Sequence, residues 1–247
     1  MTSNWGSGAE LDVVSADEDG LSYDLDTYRR LLQRLLADGY EFVGFEGSIE
    51  SSEVALRHDV DLSLECAVDM ARLEASLGVT STYFVLVTAP AYDLLAPENR
   101  RRLRCIRDAG HEIGLHFDPH AYWRSEPSRS ELHRRVDADR TALARVLDDD
   151  VGVVSIHVPP SWALDEDFDG FESTYQPAYF SDVGYVSDSS QKWRSERPFD
   201  DGVPDAMQLL VHPGLWHSED RPIAAIVEAL RDRRVDGLDG YLDDIGG

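Results

Sequence analysis

Apolar and polar positions along this chain follow two periods that take turns. Tyr28, Leu31, Leu32, Leu35 and Leu36 recur at helical spacing and predict an amphipathic helix ending near Gly39. Short strands follow over Tyr40 to Phe45 and Val54 to Arg57. Leu64, Ala67, Val68, Ala71 and Leu77 mark a second helix, stopped at Gly78. Ser81 to Val87 is β-branched and aromatic, the composition of a buried strand. The spacing then predicts a helix over Pro97 to Ala109 closed by Gly110, a strand over Glu112 to His116, and a helix over Ser130 to Leu147 capped by Ser128 or Ser130. Strands at Val151 to Ile156, Val183 to Val186 and Met207 to Val211 come next, and a helix runs from Pro222 to about Arg231. Strand–helix–strand alternation implies parallel pairing, and about seven such units make an α/β fold with a barrel-like sheet. No internal repeat or low-complexity linker interrupts the pattern. Residues 21–247 are expected to form one domain behind a flexible acidic tail over residues 1–20.

Chemically capable residues stand where these strands end. His58, Asp59 and Asp61 close one strand and His116 another; His157-Val158-Pro159-Pro160, Asp188-Ser189-Ser190 and His212-Pro213 follow three more. Parallel α/β barrels build their sites from the C-terminal ends of strands. The convergence predicts a metal-dependent or acid–base enzyme. His116 and His120, four residues apart beside Asp118, have the spacing of metal ligands. Asp118 itself reads as a turn former before Pro119, and His111, at a helix-to-strand turn, as a hydrogen-bonding structural residue. His133 and His217 carry no such context.

Composition narrows the partners. A formal net charge of −25 excludes the basic surface that nucleic-acid binding needs. Lys192 is the sole lysine, and acidity of this degree predicts adaptation to a high-salt cytoplasm, where screening relieves self-repulsion. Cys66 and Cys105 fall in predicted helices without paired spacing, as in a reduced compartment. Residues 1–20 lack the charged leader and apolar core of a signal peptide, and no run is long enough to span a bilayer, so a cytoplasmic protein is expected. Trp123, Trp193 and Trp216, with Tyr122 and Tyr185, are candidates either for core packing or for stacking on a ligand. The cluster Arg100, Arg101, Arg102 and Arg104 reads as a solvated helix face. Asp165 to Ser181 reads as a long loop, and the acidic end from Asp236 carries no legible chemistry.

The run Arg57-His58-Asp59-Val60-Asp61, the segment Gly110-His111-Glu112-Ile113-Gly114-Leu115-His116-Phe117-Asp118-Pro119-His120 and the motif Leu209-Leu210-Val211-His212 together resemble the polysaccharide deacetylase family, with its NodB-homology domain. The resemblance covers roughly residues 50–215. It implies a distorted (β/α) barrel of about seven strands, a divalent metal (zinc foremost) and hydrolysis of an N-acetyl group on a sugar. Carried over residue by residue, it makes Asp61, His116 and His120 the metal ligands, Asp59 the general base and His212 the general acid, oriented by Asp188. The substrate it implies is a small amino-sugar or glycan, free or linked to a nucleotide or lipid.

Two departures bear on those roles. The family's adjacent aspartates are here separated by Val60, although residues two apart on a strand share a face, and base and ligand are interchangeable between Asp59 and Asp61 at this stage. Where the family supplies an arginine near the base, this chain has Ser155-Ile156-His157, so His157 either steers the base or approaches the metal. His58 and Trp193 are expected around the site. Three functions stay open: an amino-sugar deacetylase, a hydrolase of another small C–N amide, and a catalytically silent barrel that binds a glycan or partner.

Overall fold

The structure is a computed structural model that describes residues 20–246. The expected tail over residues 1–20 therefore lies, but for Gly20, outside the described residues. Among the described residues, eight strands and five α-helices follow in the order α1 (Leu25–Ala37), β1 (Glu41–Val43), β2 (Glu53–Val60), α2 (Leu64–Leu77), β3 (Thr82–Leu86), α3 (Pro97–Asp108), β4 (Glu112–Phe117), α4 (Arg129–Leu147), β5 (Val153–Ile156), β6 (Glu172–Ser173), β7 (Gly184–Ser187), β8 (Met207–Val211) and α5 (Ile223–Gly246). Local chemistry sets the helix ends. The Asp24 carboxylate accepts from Thr27 N at 2.7 Å to open α1, Ser63 caps α2, and Ser128 with Glu131 forms a reciprocal capping box on α4. Gly78 takes a left-handed φ of 72° to end α2.

All strand pairs are parallel, in the order β6-β5-β4-β3-β2-β8-β7, with β1 beside the start of β2. The sheet curls into a distorted, incompletely closed (β/α) barrel. Arg57 on β2 reaches across the interior to Ser155 on β5 at 2.5 Å, and Gln208 on β8 donates to the carbonyls of Thr174 and Tyr179 beyond β6. The two edges approach through side chains, the rings of Tyr175 and Tyr185 lying 6.3 Å apart.

Strand alternation separates two environments. Val54, Leu56, Val60, Tyr83, Val85, Leu115, Val154 and Leu209 face outward and are buried beneath the helices. Arg57, Asp59, Gly114, His116, Ser155, Gln208 and Leu210 face the barrel interior. Gly114 is required there, because a Cβ would lie 2.4 Å from the Phe84 ring.

Several sequence-level boundaries shift. β2 continues to Val60 instead of stopping at Arg57, because Arg57 and Asp59 neutralise one another inside the barrel and the strand need not end where its apolar run does. The long loop after residue 165 contains the two-residue strand β6. α5 runs to Gly246, well past Arg231. No helix among the described residues is long and apolar enough to cross a membrane.

Candidate functional site

Four strand ends bring their side chains to one point. β2 delivers Asp59 and, just beyond its end, Asp61; β4 delivers His116; β5 leads into His157; and β8 leads into His212. Asp61 Oδ1, His116 Nε2 and His157 Nδ1 form a triangle with edges of 3.2, 3.0 and 3.4 Å. For bonds of about 2.0–2.1 Å, two ligands of a tetrahedral ion stand about 3.3–3.4 Å apart, so these atoms lie near the required spacing. Asp61 Oδ1 is buried and makes no hydrogen bond of acceptable geometry among the described residues, which leaves it open to an ion or a water. Burial opposes the charge on Asp61, but the neighbouring rings of His116 and His157 hold its carboxyl far below the usual carboxylate range.

Contacts behind the triangle orient its imidazoles. His116 Nδ1 lies 2.9 Å from Ser155 Oγ, which in turn lies 3.1 Å from Asp59 Oδ1. With the proton on Nδ1, His116 donates to Ser155, Ser155 donates to Asp59, and the Nε2 lone pair faces the triangle. Arg57 also donates to Ser155 Oγ and fills its second acceptor position.

Asp59 sits beside the triangle, its Oδ2 3.6 Å from His116 Nε2. Arg57 grips it with both arms, Nε to Oδ1 at 2.9 Å and Nη2 to Oδ2 at 2.7 Å, and the guanidinium also donates to Gln208 Oε1 and Tyr175 Oη. Burial would raise the Asp59 carboxyl, but the guanidinium reverses that and keeps it ionised. His212 stands on the other flank, Nε2 3.9 Å from Asp61 Oδ2. Its Nδ1 lies 2.6 Å from Asp188 Oδ1, and Asp188 also accepts from the His212 backbone N and from Trp216 Nε1. Burial works against the imidazolium, yet the Asp188 carboxylate outweighs it and pushes the His212 pKa up to about 9.

His120 is placed differently from the ligand role implied by the resemblance. It is exposed, and its Nε2 donates to the Val158 carbonyl at 2.9 Å, so that nitrogen offers no lone pair to an ion. His157 occupies the third corner. Val158 has a φ of 42°, costly for a β-branched residue, and the backbone turn there is propped by His120. Trp193 and Trp216, each 1% exposed, pack with Tyr23 in the core and have no face open to a sugar; Tyr185 does line the cleft. Tyr122 and Trp123 pack on Phe117 instead. Arg57, Ser155 and Tyr175 carry no assigned role from sequence; Arg57 is legible only in hindsight, two residues before Asp59 on the interior face of β2.

His58 points the other way, into the helix layer. Its Nε2 lies 2.8 Å from Glu74 Oε1 on α2, and Glu74 also accepts from Tyr28, Ser81 and Tyr83. His111 belongs to the same cluster through Ser81, and its Nε2 donates to the Ala71 carbonyl at 2.8 Å. Burial opposes the Glu74 charge, but His58 and the other donors hold its carboxyl below its ordinary 4.5. A carboxyl lowered by folding stabilises the protein above its unfolded pKa and ceases to do so as pH falls through the folded one. The stability advantage of the wild type over Glu74→Gln is therefore expected to shrink as pH falls below 4.5. Urea midpoints of the two proteins across pH 7 to pH 3 check this, because the general effect of discharging an acidic chain cancels in the difference. A constant gap contradicts it.

No family model matches the chain, and no curated protein matches it. Solved structures do resemble it. The chitin deacetylase from the fungal pathogen Colletotrichum lindemuthianum matches at 16% identity and a TM-score of 0.47, over 75% of this chain and 82% of that one. A family 4 carbohydrate esterase from Bacillus anthracis matches at 16% identity and 0.43, over 84% and 86%. A CE4 family pseudoenzyme from the same organism matches at 17% identity and 0.44; the alignment covers 73% of this chain and 60% of the pseudoenzyme.

Proposed function

We propose that this chain is a divalent-metal-dependent hydrolase of C–N amide bonds that removes an acyl group from an amine, with N-acetylated amino sugars as the substrate class its motifs imply. One observation carries the reading: an orphaned, buried Asp61 Oδ1 stands in a triangle with two imidazole nitrogens, between an arginine-held carboxylate and an aspartate-held imidazole. Asp61, His116 and His157 would hold the ion. A divalent ion there supplies Lewis acidity, which polarises an acyl carbonyl and makes water a competent nucleophile near neutral pH.

The remaining steps belong to the chain's own groups. Asp59, ionised and fixed in orientation by Arg57, accepts the proton of the attacking water; positioned proton transfer of this kind contributes about 10²–10⁴-fold. His212, kept as imidazolium by Asp188, gives its Nε2 proton to the departing nitrogen, so the amine leaves neutral rather than as an anion. Ser155 couples the two halves of the site, since it bonds both Asp59 and His116 and holds their spacing. The same residues suit any small amide, and an amino-sugar substrate rests on the motifs rather than on the cleft.

Product release tests the reading. Metal-loaded protein is expected to liberate carboxylate and free amine in equal amounts from N-acyl glucosamines, and Asp59→Asn to lose about 10²–10⁴-fold in kcat. Amine release that persists unchanged in Asp59→Asn contradicts it.

A further inference from the structure

The site opens into a cavity of about 530 Å³, room for far more than an acetyl group when a water's share of liquid volume is about 30 Å³. Its walls are apolar. Tyr175, Phe180 and Tyr185 pack edge to face, with centroids 5.3 and 5.0 Å apart, and line the cavity along with Asp59. Leu62, Leu215, Ile223 and Val227 supply aliphatic lining. Gly214 lets Leu62 in, because a Cβ there would lie 2.6 Å from Leu62 Cβ. Leu210 on β8, 2% exposed, adds to the apolar lining.

What the lining lacks is equally informative. Among the described residues that line the cavity there is no lysine, arginine, asparagine or glutamine. Beyond the reacting carboxylates and imidazoles, its polar side chains are Ser189, Ser190 and two tyrosine hydroxyls, one of them engaged by Arg57. Away from the reacting groups, a phosphate would meet no lysine or arginine to pair with. A run of sugar hydroxyls would find few partners. Ile223 and Val227 remain 39% and 51% exposed at this surface, apolar area that a hydrocarbon chain would cover.

We propose that this cavity is an acyl-chain pocket: the amide cleaved at this centre carries an N-acyl group of several carbons rather than acetyl. The inference rests on the amide-hydrolase reading above and replaces the N-acetyl group that the motifs imply with a longer acyl group. The reaction balances as hydrolysis: water adds to the acyl carbon, the C–N bond breaks, its electron pair stays on nitrogen with a proton from His212, and the chain leaves as a carboxylate.

The test is a series of N-acetyl, N-butyryl, N-hexanoyl and N-octanoyl glucosamines, with amine release followed on the metal-loaded protein. Burying a methylene is worth about 0.8 kcal/mol, about fourfold in kcat/KM, so the hexanoyl substrate is expected to exceed the acetyl one by at least about tenfold. Val227→Asp, on an exposed helix face, is expected to lower the hexanoyl-to-acetyl ratio about tenfold. If acetyl is cleaved best and rates fall with length, the pocket is overturned and amide hydrolysis stands. If no amide is cleaved, the hydrolase reading fails, and calorimetric titration still decides the pocket: hexanoate binding above acetate supports it, and equal affinities overturn it.

Discussion

Arg57→Met is expected to destabilise the protein by about 3–5 kcal/mol, the range for removing one partner of a buried ion pair. Arg57 is fully buried, and its guanidinium satisfies Asp59, Gln208, Ser155 and Tyr175 at once. Methionine fills much of the same volume but leaves the Asp59 carboxylate desolvated without its countercharge. The effect should therefore be largely relieved by also changing Asp59. In Arg57→Met/Asp59→Leu, apolar replacement of both partners brings the penalty back towards neutral, as buried pairs often permit. Urea unfolding of the two proteins measures both numbers. A single mutant within about 1 kcal/mol of wild type contradicts the view that Asp59 is ionised and held by Arg57, since a neutral Asp59 would not need the guanidinium.

His212→Ala is expected to lower kcat by about 10²–10⁴-fold without changing metal content, because it removes a proton donor and leaves the triangle intact. Asp188→Asn separates that role from bulk structure. The substitution keeps the shape and leaves an oxygen to accept from Trp216, but it removes the charge that holds His212 protonated. Its loss should be almost entirely in kcat, with KM and the unfolding midpoint close to wild type. If His212→Ala retains near-normal turnover, protonation of the leaving group comes from elsewhere and the assignment of the acid is wrong.

How much of this was legible in sequence follows from what each element buries. β3 and β8 are apolar on both faces or nearly so, and their extents can be read from composition. β2 cannot, because its interior face carries Arg57 and Asp59, and a hydrophobicity pattern treats a buried ion pair as an end. β6 is two residues long and held by β5, too short to leave any period. The strand-end convergence on Asp59, Asp61, His116 and His212 follows from topology, so it could be inferred once strands were recognised. The placement of His120 could not. Whether His120 or His157 takes the third corner depends on a left-handed backbone turn at Val158, a residue type that sequence rules assign to extended structure. Trp193 and Trp216 mislead for a related reason: large aromatics serve cores and ligands alike, and only their packing on Tyr23 distinguishes the two.

Metal binding by the purified protein and three single variants, measured by equilibrium dialysis with elemental analysis, bears most directly on the central claim that Asp61, His116 and His157 form a metal centre. The wild type is expected to retain one divalent ion per chain. His116→Ala and His157→Ala should each weaken binding by more than about 100-fold, and His120→Ala, which removes only the prop on Val158, should stay within the roughly 10–100-fold loss typical of a supporting contact. Absence of a stoichiometric ion in the wild type, or loss of metal in His120→Ala with retention in His157→Ala, would contradict it.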